Sequence, residues 1–474
     1  RNIAIGTNSL QNLNAGSDAY NVAVGFSSGA AMTTGTLNTI VGGLAGDALT
    51  TGGNNTAIGH EALSTEDTGA RNTAIGEGSL KTLNFDGNGY NVAVGYNSGH
   101  VMTTGVQNTI MGSLAGDALT TGGSNTVLGY NALSTEDAHG KNVAIGDFAL
   151  YTLNAGADGY NVAVGHNTGA AMTTAVRSTL VGGLAGDAIT TGSDNTYLGY
   201  SAGTVSTSAN SNVAVGRSAL ANNLNSDRNV AVGYFALGNM TSSASVDGYN
   251  VAVGHEAGLS VTTGIKNTLI GGGSGDALTE GSNNVAIGYR ALSTETLHGR
   301  NVAIGQDALF AQNAGANAFN VAIGFETGKS VTTGINNTLV GGLAGDALTT
   351  GSYNVAIGRN ALSTEDTGGR NIAIGHSALN NLNNDGDSYN VAIGYSAGIA
   401  MTTGIYNTLV GGLAGDSITS GQHNVALGYN ALAGEDAHGR NIAIGTNALA
   451  VQDAGADAYN IAIGHNAGLA VSTG

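Results

Sequence analysis

The chain has 474 residues, 32 acidic against 14 basic side chains, a net charge of −18, and neither Cys nor Pro. This balance argues against a nucleic-acid surface, which needs a basic stripe to meet phosphate. Disulfides are excluded as a stabilising device, and no apolar run reaches the length of a membrane-spanning helix.

The first element is Asn2-Ile3-Ala4-Ile5-Gly6, and the same phrase returns as Asn21-Val22-Ala23-Val24-Gly25 and so on to Asn441-Ile442-Ala443-Ile444-Gly445. The opening Asn stands at 2, 21, 38, 55, 72, 91, 108, 125 and 142, in steps of 17 residues lengthened to 19 at regular places. Three short steps and one long one make a super-period of 70, marked by Tyr20, Tyr90 and Tyr160, then by Tyr249, Phe319, Tyr389 and Tyr459. The interval from Tyr160 to Tyr249 is 89, which one additional coil near Asn195 and a longer connection near Thr241–Val246 explain. A fixed short period means stacked units, none of which can bury a core alone.

Within a coil, position two is Val, Ile or Thr and position four is apolar, as in Ile5, Val24, Ile58 and Leu128. Side chains alternate across a strand, so positions two and four share one face. β-Branched residues favour extended backbone, and these two positions are expected to face the core. Position three is then expected outside, with Ala allowing close packing. In one coil of four it becomes larger, at Ile40, Ile110, Leu180, Leu269, Leu339 and Leu409, which reads as a candidate subunit interface. The Gly that follows predicts a positive φ or a close backbone approach. The fold class is therefore all-β: a parallel β-solenoid of about 27 coils of 17–19 residues, continuous over residues 1–474 as a single domain. At the spacing of paired strands this is a rod on the order of 130 Å long. Both ends are open, so a longer chain is expected beyond them.

The phrase in Asn2-Ile3-Ala4-Ile5-Gly6-Thr7-Asn8-Ser9 and Asn91-Val92-Ala93-Val94-Gly95-Tyr96-Asn97-Ser98 resembles the head repeat of YadA-like trimeric autotransporter adhesins. It is also similar to solenoid segments of some phage tail fibres, as in Asn55 to Leu63. The resemblance implies a left-handed β-roll, a homotrimer, exposure at a cell surface or on a virion appendage, and a role in attachment. The coils here are longer than the compact adhesin head coil, and no heptad stalk or membrane anchor is present within the chain.

Several surface columns repeat with the blocks. Acids precede a base at Glu66 and Asp67 with Arg71, Glu136 and Asp137 with Lys141, Glu365 and Asp366 with Arg370, and Glu435 and Asp436 with Arg440. These read as solvated loops with weak ion pairs. Asp47, Asp117, Asp187, Asp276, Asp346 and Asp416 follow Gly and are weak calcium candidates, since calcium wants six to eight oxygens. A turn role fits their spacing of several coils better. His139, His298 and His438 precede Gly and a base, whereas His166, His255 and His465 follow the repeated Gly. On a three-fold axis such His can ring a metal. The aromatics Tyr20, Tyr90, Tyr160, Tyr249, Phe319, Tyr389 and Tyr459 read as plugs over the longer turn or as surface contacts that stack on a ligand. Interrupted Thr-Thr-Gly repeats argue against ice binding.

The expected function is an extracellular rod that attaches through weak sites repeated along its length. The partners are a second and third copy of the chain and a receptor, glycan or matrix protein. A tail-fibre shaft and a self-assembling filament are the alternatives. Catalysis needs one singular set of acid, base or nucleophile in a cleft. Acids and His here recur in columns, so neither enzyme activity nor a cofactor is expected.

Overall fold

A computed structural model of the chain describes residues 1–242 and 245–473. Ser243 and Ala244, within the longer connection expected near residues 241–246, lie outside the described residues. Regular structure among the described residues is entirely β, with no helix. Each coil contributes one strand of three residues, giving 27 in all. A strand pairs in parallel and in register with the strand of the next coil: Ile3, Ala4 and Ile5 lie against Val22, Ala23 and Val24, and Thr39 lies against Thr56. This is a parallel β-solenoid.

The chain gathers into two units, residues 1–232 with 240–247 and residues 233–239 with 248–474. In the first, the coil strands run from Ile3–Ile5 to Val230–Val232. A two-residue parallel pair there joins Ser226–Asp227 to Val246–Asp247. In the second, they run from Val251–Val253 to Ile461–Ile463.

The repeated Asn has a structural cause that its position in the phrase alone did not disclose. Its side chain is buried in coil after coil. The Oδ1 of Asn38 accepts from the backbone N–H of Asn55 at 2.9 Å, and its Nδ2 donates to the Gly52 carbonyl at 2.9 Å. The same contacts link Asn21 to Asn38 and Asn91 to Asn108. Each side chain thus satisfies buried backbone groups that the short strands leave over. Where the Asn is replaced, Ser178 keeps the chain of bonds, its Oγ accepting from Asn195 N–H at 3.3 Å.

The Gly after the strand meets both expectations. Gly42 has φ +141°, and a Cβ there would lie 2.2 Å from the carbonyl oxygen of Gly59 in the next coil. Any side chain in this column would push adjacent coils apart.

The inside and outside of the strand are the reverse of the expectation. Position three is buried, as at Ala23, Ala57 and Ala93, while Val22 and Val24 are only half-buried. Met111 and Leu128, at position four, are 40% and 45% exposed. Ile40, Ile110, Leu180, Leu269, Leu339 and Leu409 are fully buried within their own chain, so they are core residues and not a subunit interface. Their size is matched locally. Six residues after each stands a Gly, and a Cβ on Gly46 would meet Ile40 Cδ1 at 3.4 Å and Leu49 Cδ1 at 2.8 Å. Coils with Ala at position three can hold Leu at that second place instead, as in Ala57 with Leu63 and Ala74 with Leu80. The largest position-three residues stand with a Gly, and Leu stands with the smaller ones, Ala and at one coil Val127, so close packing sets the alternation. Leu63 takes φ +53° to reach inward, a left-handed conformation that costs roughly 1–2 kcal/mol and is offset by burying its side chain.

Tyr197 is the largest residue at position three and is fully buried over Gly203. Its hydroxyl lies 3.0 Å from Ser206 Oγ. Burial pushes its pKa up to about 12.

Candidate functional site

The residue before each Asn adopts a left-handed backbone, with φ +50° at Tyr90, +63° at Lys141 and +62° at Arg370. Polar and aromatic side chains here form a column on the outside of the coil. Tyr20, Tyr90, Tyr160, Tyr249, Phe319, Tyr389 and Tyr459 all lie in it and are exposed, so they are surface residues and do not plug the longer turn. The preceding coil sets a cation over most of these rings. Arg71 lies 5.5 Å from the centre of the Tyr90 ring, Lys141 5.0 Å from Tyr160, Arg300 5.3 Å from Phe319 and Arg440 5.4 Å from Tyr459. The bases also donate hydrogen bonds, Arg71 to the Tyr90 hydroxyl at 2.5 Å and Arg440 to that of Tyr459 at 2.7 Å. Cation–π attraction at such exposed sites is modest, about 0.5–1 kcal/mol. In the second unit Tyr389, Tyr406 and His423 stack with centroid separations of 5.6 and 5.0 Å. Beside His423 lies a groove of about 220 Å³ lined by Ser420, Gln422, Arg440 and Asp457.

The acid–base loops differ from the expectation of solvated, weakly paired side chains. Glu66, Glu136, Glu295, Glu365 and Glu435 are fully buried. They cap backbone N–H groups: Glu66 accepts from Gly69 at 2.7 Å and from Phe85 at 3.2 Å. Burial, acting against those bonds, raises the pKa of Glu66 and lifts that of Glu365 to about 7. The bases reach acids one coil further on. Lys141 pairs with Asp158 at 2.6 Å, Arg370 with Asp387 at 2.6 Å and Arg440 with Asp457 at 2.5 Å. Adding one period of 17 to each base would have found these partners. Asn88 stands at that place after Arg71, and Arg71 turns to Tyr90.

Asp47, Asp117, Asp187, Asp276, Asp346 and Asp416 occupy one column, each with its carboxyl pKa raised by burial. Asp187 accepts from Thr204 at 3.1 Å. None of the six belongs to a cluster of three or more metal-ligating side chains among the described residues. Such clusters form elsewhere. Glu136, Asp137 and His139 bring ligand atoms within 4.8 Å of one another, and so do Glu435, Asp436 and His438. The ring of His255, one of the His that follow the repeated Gly, stacks on Tyr234 at 5.1 Å. A scan against protein-family models finds no match, and neither does a search of curated proteins.

Proposed function

We propose that this chain is the repeat region of an extracellular, homotrimeric attachment protein, similar in plan to adhesin head repeats. The observation that carries the reading is the outward face of the coil strands. Position four presents Val, Ile, Leu or Met, half-buried to exposed, from coil to coil, and position two adds Val or Ile where it is not Thr. Scattered apolar residues are ordinary on a surface, but a continuous ribbon of them marks an interaction site. Identical chains set side by side would cover this ribbon with itself, coil against coil. The exposed cation–aromatic columns are the surface offered to a receptor, glycan or matrix protein, where repeated weak contacts add through avidity.

Two measurements test this. Light scattering on the purified chain is expected to give three chains per particle, and a Met111→Glu, Leu128→Glu variant is expected to weaken that association. Beads coated with the chain are expected to be retained on glycan- or matrix-coated surfaces under flow. A monomer at all concentrations, with no retention on any such surface, would overturn the reading.

A further inference from the structure

We propose that the loops Glu136–Asp137–Ala138–His139 and Glu435–Asp436–Ala437–His438 each bind a divalent transition-metal ion, with zinc the best fit. In both, the imidazole Nδ1 is buried and has no hydrogen-bond partner. Buried polar atoms are rarely left so. A buried carboxylate oxygen lies 3.6 Å from this Nδ1 in His139 with Glu136 and 3.7 Å in His438 with Glu435. That gap is too long for a hydrogen bond. It is close to the separation of two ligands on one tetrahedral zinc, roughly 3.4 Å for bonds of about 2.0–2.2 Å.

The carboxylate is already held in place. Glu136 accepts from the backbone N–H of His139 and of Ala155, both at 3.2 Å. Glu435 accepts from His438 N–H at 3.1 Å and from Gln452 Nε2 at 3.1 Å. These bonds fix the ligand in the way that outer partners orient metal-binding groups. Asp137 and Asp436 stand exposed at the mouth and supply a third ligand, with water free to take the fourth position. One imidazole with two carboxylates suits zinc better than calcium, which takes oxygen ligands alone. The chain also carries an internal control. His298 lies 3.8 Å from Glu295 in the same geometry, but Thr296 replaces the Asp.

Titration calorimetry and equilibrium dialysis of the metal-free full chain with zinc chloride near neutral pH test the proposal. The expected result is two zinc ions bound per chain at these loops, both lost in the double variant His139→Ala, His438→Ala and both kept in His298→Ala. Equal zinc uptake by wild type and the double variant, or no uptake by wild type, overturns it. If the double variant fails to fold by circular dichroism, Asp137→Asn with Asp436→Asn replaces it, since those side chains are exposed. The two ions must then be lost at zinc concentrations that saturate the wild type, and their retention overturns the proposal.

Discussion

Replacing Glu365 with Gln should raise thermal stability at alkaline pH and flatten its pH dependence. The carboxylate is fully buried, with no cation paired to it. It accepts from Gly368 N–H at 2.7 Å and from Asn384 N–H at 3.3 Å. In the next coil Leu382 stands where Gln452 stands below Glu435, so no side chain there donates to it. Burial takes its pKa from 4.5 to about 7. Between those values the folded state binds more proton than the unfolded state, so this contribution to stability is complete below the unfolded pKa. It is lost as pH rises through about 7, the folded value. The difference is at most about 3 kcal/mol, at 1.36 kcal/mol per pKa unit. Gln keeps an oxygen for Gly368 and loses one weaker bond, at a cost of about 1 kcal/mol. A net gain of about 1–2 kcal/mol is therefore expected at alkaline pH, with little gain or a small loss in acid. The assay is melting by far-ultraviolet circular dichroism of both chains between about pH 5 and pH 8.5. The wild type should lose stability as pH rises, helped in the same direction by the raised carboxyls of the Asp47 column. A wild-type melting temperature that climbs with pH, or a variant with an unchanged slope, refutes the reasoning.

Two further substitutions probe the frame. Asn108→Ala removes the acceptor of Asn125 N–H and the donor to Gly122 O. It is expected to cost about 2–4 kcal/mol in a denaturant melt, because both backbone groups are left buried. Ala57→Leu should overpack against Leu63 and destabilise by about 1–3 kcal/mol. Adding Leu63→Gly recreates the pairing found in Ile40 with Gly46, so the double variant should recover most of that loss; additive losses would contradict the volume argument.

Much of this architecture is written in the sequence because it is local and repeated. The step of 17 or 19 residues fixes which residues become neighbours, since parallel, in-register strands place a residue beside its copy one coil on. The Gly column was legible for the same reason: every coil needs a backbone without a side chain at the place where the next coil approaches. The partners of Lys141, Arg370 and Arg440 were also within reach, one period further along at Asp158, Asp387 and Asp457. Reading them within their own loops hid the pairing.

Alternation showed that positions two and four share a face, but a period of two says nothing about which face is inside. Hydropathy favoured Val and Ile for the interior, whereas the narrow coil mostly admits Ala, takes Val127 beside Leu133 once, and sets a larger residue such as Ile40 opposite a Gly such as Gly46. That choice is one of volume, settled only when the coil closes on itself. The same closure buries Glu136 and Glu435 and turns His139 and His438 toward them, whereas in the linear chain these residues read as a solvated loop. The sequence by itself determined the repeat, the strand and the stacking, because these depend on residues one period apart. Only the tertiary structure decided what is enclosed, because enclosure depends on the space left inside a coil once it closes on itself.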